Sequence, residues 1–433
     1  MTRLASKTMV VIGSRLLTRA LQLVFFVILA RELSPEGFGT YGVLTSAIFL
    51  TGVIGHVGLR QASAQMVGRN QIEYGEAAST VLVAWPFLAV ACCLILLNAN
   101  AEQFLSLDPV STAACWLAVA AILLISLWQG VLLGRGLTGE FALADTGPRL
   151  LQAALVIALL LTGSLDLKSA LVSFAAGVLI FLPWLAWRVY RGSTSNRIRL
   201  SVTWPMMRMG FIYAISLFLI SIQGRIGLFF LNGIDAAHQT GQFFAAQRAS
   251  EIFLDVASAA AVVLFSETAR AEDQRSAFGS AARTACGLFI MFLVLGVSLA
   301  IAAPFVVTLV LGPLYAEAES ALVVLSLGLA PVAAARVMNS VVSGMGKPWI
   351  SASVAVVGSC VNLFACSLLA PRFGAVGAAM ALVAGQTTTL LGYIVVSRAY
   401  FGLRWRDVMP RVKLNTVVTR LRRQRVRKSE PAS

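Results

Sequence analysis

Arg248, Glu251 and Asp255 stand in a stretch otherwise oily enough to cross a bilayer, "GQFFAAQRASEIFLDVASAAAVVLF" at 241–265. Their i, i+3, i+7 spacing puts all three on one helix face. A charged group at the bilayer centre costs about 2.5–3.5 kcal/mol on insertion scales, so such a face must turn toward protein or water. The same pattern recurs on three other apolar spans. Arg15, Arg19 and Gln22 are spaced i, i+4, i+7; Ser221 and Arg225 are i, i+4; Arg336, Asn339, Ser340 and Ser343 form a stripe. Five arginines against two carboxylates leave a cationic excess. The planar guanidinium suits bidentate contact with phosphate or carboxylate oxygens. The chemistry predicted is therefore capture of an anionic, phosphorylated substrate in a watery cleft by Arg15, Arg19, Arg225, Arg248 and Arg336. Glu251 and Asp255 are candidate sites for a coupling ion. Plainer readings stand beside this one: Arg248 pairing with the two acids as structural glue, and Arg15, Arg225 and Arg336 snorkelling to an interface.

The elements that must position these groups are membrane helices. Of 433 residues, 58% are hydrophobic and 12% charged, with mean hydropathy +0.83. A soluble domain carries about twice that share of charge. Twelve apolar spans are predicted, at 8–30, 39–59, 77–98, 111–133, 149–165, 169–189, 209–231, 241–264, 284–310, 320–343, 350–370 and 375–397. With both termini placed in the cytoplasm, 26 of the 34 Lys and Arg residues fall in inside segments and three (Arg31, Lys168, Arg372) in outside loops, a positive-inside pattern. The net charge of +15 thus reads as orientation rather than nucleic-acid binding. "LLGRGLTGEFALADTGPRLL" is echoed by "VVSGMGKPWISASVAVVGSC", and "EGFGTYGVLTSA" by "HQTGQFFAAQRA", matching Gly39 and Tyr41 to Gly241 and Phe243. The expected architecture is an all-α polytopic protein with two six-helix lobes around a central cavity, residues 1–200 and 201–400. A basic tail, 401–433, would lie against anionic lipids.

Several classes are excluded. The six cysteines lie in apolar runs without CxxC or zinc spacing, and two histidines, His56 and His238, cannot make a His-rich metal site. "SGMGKP" lacks the upstream glycine and the hydroxyl residue of a phosphate-binding loop. His56, among Gly52, Gly55 and Gly58, reads as a packing residue. No catalytic residue, metal or cofactor is expected; a proton, sodium ion or the membrane potential is the candidate driver.

"LQLVFFVILARELSPEGFGTYGVLTSA" resembles the opening of bacterial polysaccharide flippases of the Wzx type, whose first helix leads through a similar "LARxLxPxxFGxY" turn into the second. "GLRQASAQ" and "SGMGKPWISASVAVVGSCVNLF" fit the same pattern. The superfamily also holds drug/cation antiporters of the multidrug-extrusion type and the lipid II flippase. The resemblance implies a non-enzymatic inner-membrane flippase working by alternating access. Its implied cargo is an undecaprenyl-pyrophosphate-linked oligosaccharide for exopolysaccharide or lipopolysaccharide assembly, and polysaccharide assembly proteins are candidate partners. A cation-coupled small-molecule antiporter is the alternative, and a membrane-embedded sugar polymerase or transferase is disfavoured by short loops. The long basic tail departs from the family pattern.

Orientation is directly testable. An impermeant thiol reagent applied to intact cells should label a cysteine placed at Lys168 or Arg372 and spare one placed at Lys347; the reverse pattern inverts the topology.

Overall fold

The computed structural model describes residues 22–99, 107–254, six positions between 257 and 268, and 273–402. Arg15, Arg19, Asp255 and the tail beyond residue 402 lie outside the described residues. Among these residues all regular structure is helical. The end of the first helix, α1, covers 22–32. Next come α2 (Pro35–Gly55), α3 (Leu59–Gly68), α4 (Tyr74–Ala99), α5 (Pro109–Gly134), α6 (Thr138–Leu161) and α7 (Leu167–Tyr190). The second half holds α8 (Thr203–Gln223), α9 (Ile226–Gly233), α10 (Ala237–Glu251), α11 (Gln274–Val306), α12 (Ala318–Leu327), α13 (Leu329–Gly344) and α14 (Pro348–Ala399).

Local chemistry starts these helices where loops return to the apolar phase. Ser34 accepts from the Gly37 N–H ahead of α2, and Pro35 pre-sets the first turn. Asp108 caps α5 with Pro109 behind it. Asp166 and Ser169 form a capping box on α7. The Ser169 N–H holds the Asp166 carboxyl below the usual carboxylate range. Beyond the caps the long helices are largely apolar, and their outward side chains (Phe87 is 76% exposed, Ile301 77%) have lipid as their natural solvent.

Among the described residues seven helices are long and apolar enough to cross a membrane, or nine if each of two bent pairs is one span. The protein is therefore multi-pass. Three predicted spans are interrupted, two of them beside a charge (Arg225 and Glu251) and the third at Gly328. The span at 209–231 is the pair α8 and α9, bent by 61° for the segments 214–223 and 226–233. The span at 320–343 is α12 and α13, bent by 50°. The span at 241–264 gives way after Glu251 to a 3-10 turn, Ile252–Leu254. The span at 149–165 is longer than expected at its start, since α6 runs from Thr138 through Pro148, and it stops at Leu161. The last two predicted spans are the arms of α14, parted at Gly374 (φ 53°, ψ −128°).

Elements α2 to α7 pack among themselves, as do α8 to α14, and the two groups meet where α2 lies on α10 and α3 on α8. At one end a Cβ on Gly241 would stand 1.8 Å from Pro35 O, and one on Gly39 2.8 Å from Gly241 N. The two glycines paired by the sequence echo thus touch. At the other end Gly58, at φ 76°, opposes Gly210, where a Cβ would sit 2.2 Å from Gly58 O. The segment joining the halves is fastened to α4. Glu73 accepts from Ser193 Oγ (3.1 Å) and Thr194 N (3.0 Å), Glu76 from Ser195 Oγ (2.9 Å), and Thr80 Oγ1 from Arg199 N (3.0 Å).

Gly241→Leu should force α2 and α10 apart, at a cost of about 1–3 kcal/mol, visible as a lower unfolding temperature in detergent. Gly233→Ala, which meets nothing within 4 Å, should leave that temperature nearly unchanged.

Candidate functional site

The break between α8 and α9 frees backbone carbonyls at membrane depth, where each must find a donor within the protein. Gln223 O accepts from Asn362 Nδ2 (2.8 Å) and Gly224 O from Gln247 Nε2 (2.6 Å). The Gln223 side chain donates to Thr389 Oγ1 (2.8 Å), which donates to Gly385 O (3.0 Å). The arms of α14 come close enough for this because Gly358 and Gly385 carry no side chain: a Cβ on Gly358 would lie 2.1 Å from Thr389 Oγ1.

The break also sets Arg225 at the head of α9, next to the charges of α10. Glu251 Oε1 accepts from Arg225 (3.4 Å) and from Gln247 Nε2 (3.0 Å), while Oε2 accepts from Arg248 (3.0 Å). Side-chain exposure is 15% for Arg225, 29% for Glu251 and 35% for Arg248. The guanidinium of Arg248 lies 5.0 Å from the Phe244 ring centre, and that of Arg225 lies 5.9 Å from Phe49 of α2, so the site abuts both halves. Arg336, on α13, donates to Ser258 Oγ (2.8 Å) and interacts electrostatically with Glu251. One carboxylate therefore accepts from two guanidinium groups, with a third within electrostatic reach. Arg225 Nε is buried with no hydrogen-bond acceptor among the described residues. The Tyr41 hydroxyl of α2 lies within electrostatic reach of Arg248 and accepts from Gln152 Nε2 (2.7 Å).

The structure thus joins Arg225, Arg248, Arg336 and Glu251 of the expected set; Arg15, Arg19 and Asp255 are outside the described residues. Two details differ from the expectation. Arg225 is not on an uninterrupted helix face with Ser221, because the helix breaks at Gly224. Arg225 also does not reach to an interface: its guanidinium turns inward to Glu251. In the polar stripe of α13, Asn339 Oδ1 accepts from Tyr393 Oη (3.2 Å), a structural role. His56 is buried, its Nδ1 accepting from Gly58 N (3.1 Å), as expected of a packing histidine.

Sequence reasoning missed Gln247, Asn362 and Thr389, the groups that answer the broken helix. Their signal was single amide and hydroxyl residues inside apolar runs. Arg60 belongs to α3, half-buried, 5.3 Å from the Phe141 ring centre and in electrostatic reach of Asp145.

Residues 4–266 match the family described as "Polysaccharide biosynthesis protein". No curated protein sequence matches the chain significantly. Solved structures share its fold. "Lipid II flippase MurJ, inward closed conformation" aligns with TM-score 0.74 at 13% identity, over 91% of this chain and 88% of that one. An inward-facing multidrug resistance MATE family transporter of the MOP superfamily aligns with TM-score 0.69 at 15% identity, over 89% and 94%. A MOP superfamily transporter from Pyrococcus furiosus, described as having a binding pocket of reverse polarity, aligns with TM-score 0.66 at 16% identity, over 90% and 93%. Identities this low speak for the fold alone.

Removing the central carboxylate should expose the imbalance. Glu251→Gln leaves Arg225 and Arg248 uncompensated and should cost about 2–4 kcal/mol, read as a lowered unfolding temperature in detergent. Adding Arg225→Gln to that variant should restore part of the loss; a double variant less stable than Glu251→Gln alone would contradict the pairing.

Proposed function

We propose, from the premise that this chain belongs to the polysaccharide biosynthesis protein family, that it flips an undecaprenyl-pyrophosphate-linked oligosaccharide across the bacterial inner membrane. The observation that carries this reading is the carboxylate at a broken span that accepts from two guanidinium groups, with a third within electrostatic reach. Glu251 is the resident anion of the site. A pyrophosphate brings more negative charge and more acceptor oxygens than one carboxylate, so it competes for the forks of Arg225 and Arg248 and for Arg225 Nε. Arg15, Arg19 and Arg336 complete the cationic set. When the cargo leaves, Glu251 takes the guanidinium groups back, so the empty carrier never strands them in a low dielectric. The lipid tail stays in the bilayer while the head group passes between lobes 1–200 and 201–400, which rock to alternate access.

A cation-exporting antiporter needs the opposite balance at this place. Among the described residues three arginines stand against one acid, and the expected set of five against two keeps the same sign, a balance that repels a cationic drug and weighs against the alternative. Sodium, a proton bound at Glu251 or Asp255, or the membrane potential drives the cycle. The basic tail orients the chain on anionic lipids and offers a surface to assembly proteins.

Deleting the gene should cause the lipid-linked oligosaccharide to accumulate on the cytoplasmic side and surface polysaccharide to fall. The wild-type gene should reverse both changes. Arg225→Ala or Arg248→Ala, expressed at equal levels, should lower flux by about 10- to 100-fold, the value of one or two charge-assisted hydrogen bonds. Normal glycans with altered drug sensitivity in the deletion strain would favour the antiporter.

A further inference from the structure

At one end of the seam between α2 and α10, an imidazole stands between two carboxylates. His238, in the first turn of α10, has Nδ1 2.8 Å from Glu36 Oε1 at the start of α2. Its Nε2 is 3.8 Å from Glu317 Oε1, on the turn before α12. A third neighbour fixes the proton arrangement. Gln242 is fully buried, and its Nε2 lies 3.1 Å from His238 Nε2. The orientation of its amide is set twice over: Nε2 donates to Leu314 O (2.8 Å) and Oε1 accepts from Ala318 N (2.9 Å). The Gln242 atom facing the ring is therefore a donor, so the ring's Nε2 accepts. A carboxylate only accepts, so Nδ1 carries the hydrogen. This geometry is that of a neutral imidazole.

A second proton, placed on Nε2, sets donor against donor at Gln242. The acceptor beside it is the Glu317 carboxylate, a small ring rotation away. Glu317 is itself anchored: Gln239 Nε2 donates to its Oε2, and Gln239 Oε1 accepts from Ala375 N (2.9 Å) at the bend of α14. A proton at His238 therefore couples α2, α10, the turn before α12 and the bend of α14.

The other ionisable groups nearby leave this trio to itself. Tyr315, before α12, donates to Leu33 O (3.4 Å) and is electrostatically coupled to Glu36. Arg31 on α1 donates to Leu309 O and Val310 O at the end of α11. Glu32 on α1, Asp235 before α10, Glu319 on α12 and Arg372 at the α14 bend form no ion pair with the trio among the described residues. The segment α9 carries no charge.

We propose that His238 is a proton-binding site that clamps the two halves of the chain together at this end. Protonated, the ring donates to Glu36 and Glu317 at once as a cation between two anions. Neutral, it keeps one hydrogen bond to Glu36 and turns a lone pair toward Glu317. Acid therefore closes this end and alkali loosens it. In the orientation set by the positive-inside pattern, residues 31–38 and 232–240 face outward. External protons then shut the exit after the cargo has left and return the empty carrier, a step that rests on the flippase reading; the clamp itself does not.

The clamp is tested without cargo. Spin labels on Glu32→Cys and Ala237→Cys, in full-length protein reconstituted in lipid nanodiscs, report the distance across this end. From about pH 5.5 to about pH 8, which brackets ordinary imidazole titration, the ratio of short to long distances should fall about threefold, the scale of a half-exposed ion pair. His238→Gln, and separately Glu36→Gln, should hold the ratio constant over that range while both distances remain present. A pH response that persists in His238→Gln, or no response in the unsubstituted protein, overturns the proposal. A clamp that responds while oligosaccharide flux in cells is unaffected by Arg248→Ala would instead sink the flippase reading alone.

Discussion

A helix that breaks inside a bilayer exposes carbonyls that lipid cannot satisfy, and the answer to that constraint organises this protein's centre. Gln247 does two things with one amide. It closes the Gly224 carbonyl and it holds Glu251. Glu251 in turn fixes Arg225 and Arg248. Backbone repair and charge compensation thus belong to one network, spanning α9, α10 and the arms of α14. Packing alone would not hold Arg225 at this depth; the bend that aims it inward and the carboxylate that receives it are supplied together.

Much of this was legible in residue types. The apolar runs located the helices, because lipid and a crowded interior both select for the same side chains. The i, i+3 spacing of Arg248 and Glu251 already allowed the pairing that was the plainer of the two readings. Less legible was the helix breaking at Gly224, since a glycine in an apolar span does not announce a bend. Asn362 and Thr389 act from 139 and 166 residues away from the chain segment they serve, and local spacing carries no trace of such a partnership. The true start of α6 was hidden by Pro148, which reads as a stop but sits within the helix.

The seam between the halves is built differently from the polar centre. Its two ends are closed by glycine backbones in van der Waals contact, Gly39 with Gly241 and Gly58 with Gly210. Such contacts give up only dispersion when they part, unlike the charge pairs of the centre, whose separation strands ions. Ends that separate cheaply suit the alternating-access cycle proposed above. The His238 trio adds a conditional hold at one of them.

The tie between the connecting segment and α4 sets the kind of motion left to the molecule. From Ser193 to Arg199 the chain is stitched to Glu73, Glu76 and Thr80, and α8 starts at Thr203. The three residues between, Leu200–Val202, form a 3-10 turn that runs into α8, and even unwound they give only about 10 Å of reach at full stretch. Sliding the halves past each other would exhaust that slack almost at once, whereas turning about it would not. In the rocking motion proposed above the tie acts as a hinge pin near one face and the bundle as a lever: a turn of roughly 20° would move the opposite face, some 30 Å away, by roughly 10 Å. The longest stroke is thus delivered farthest from the pin, with no lengthening of the strap.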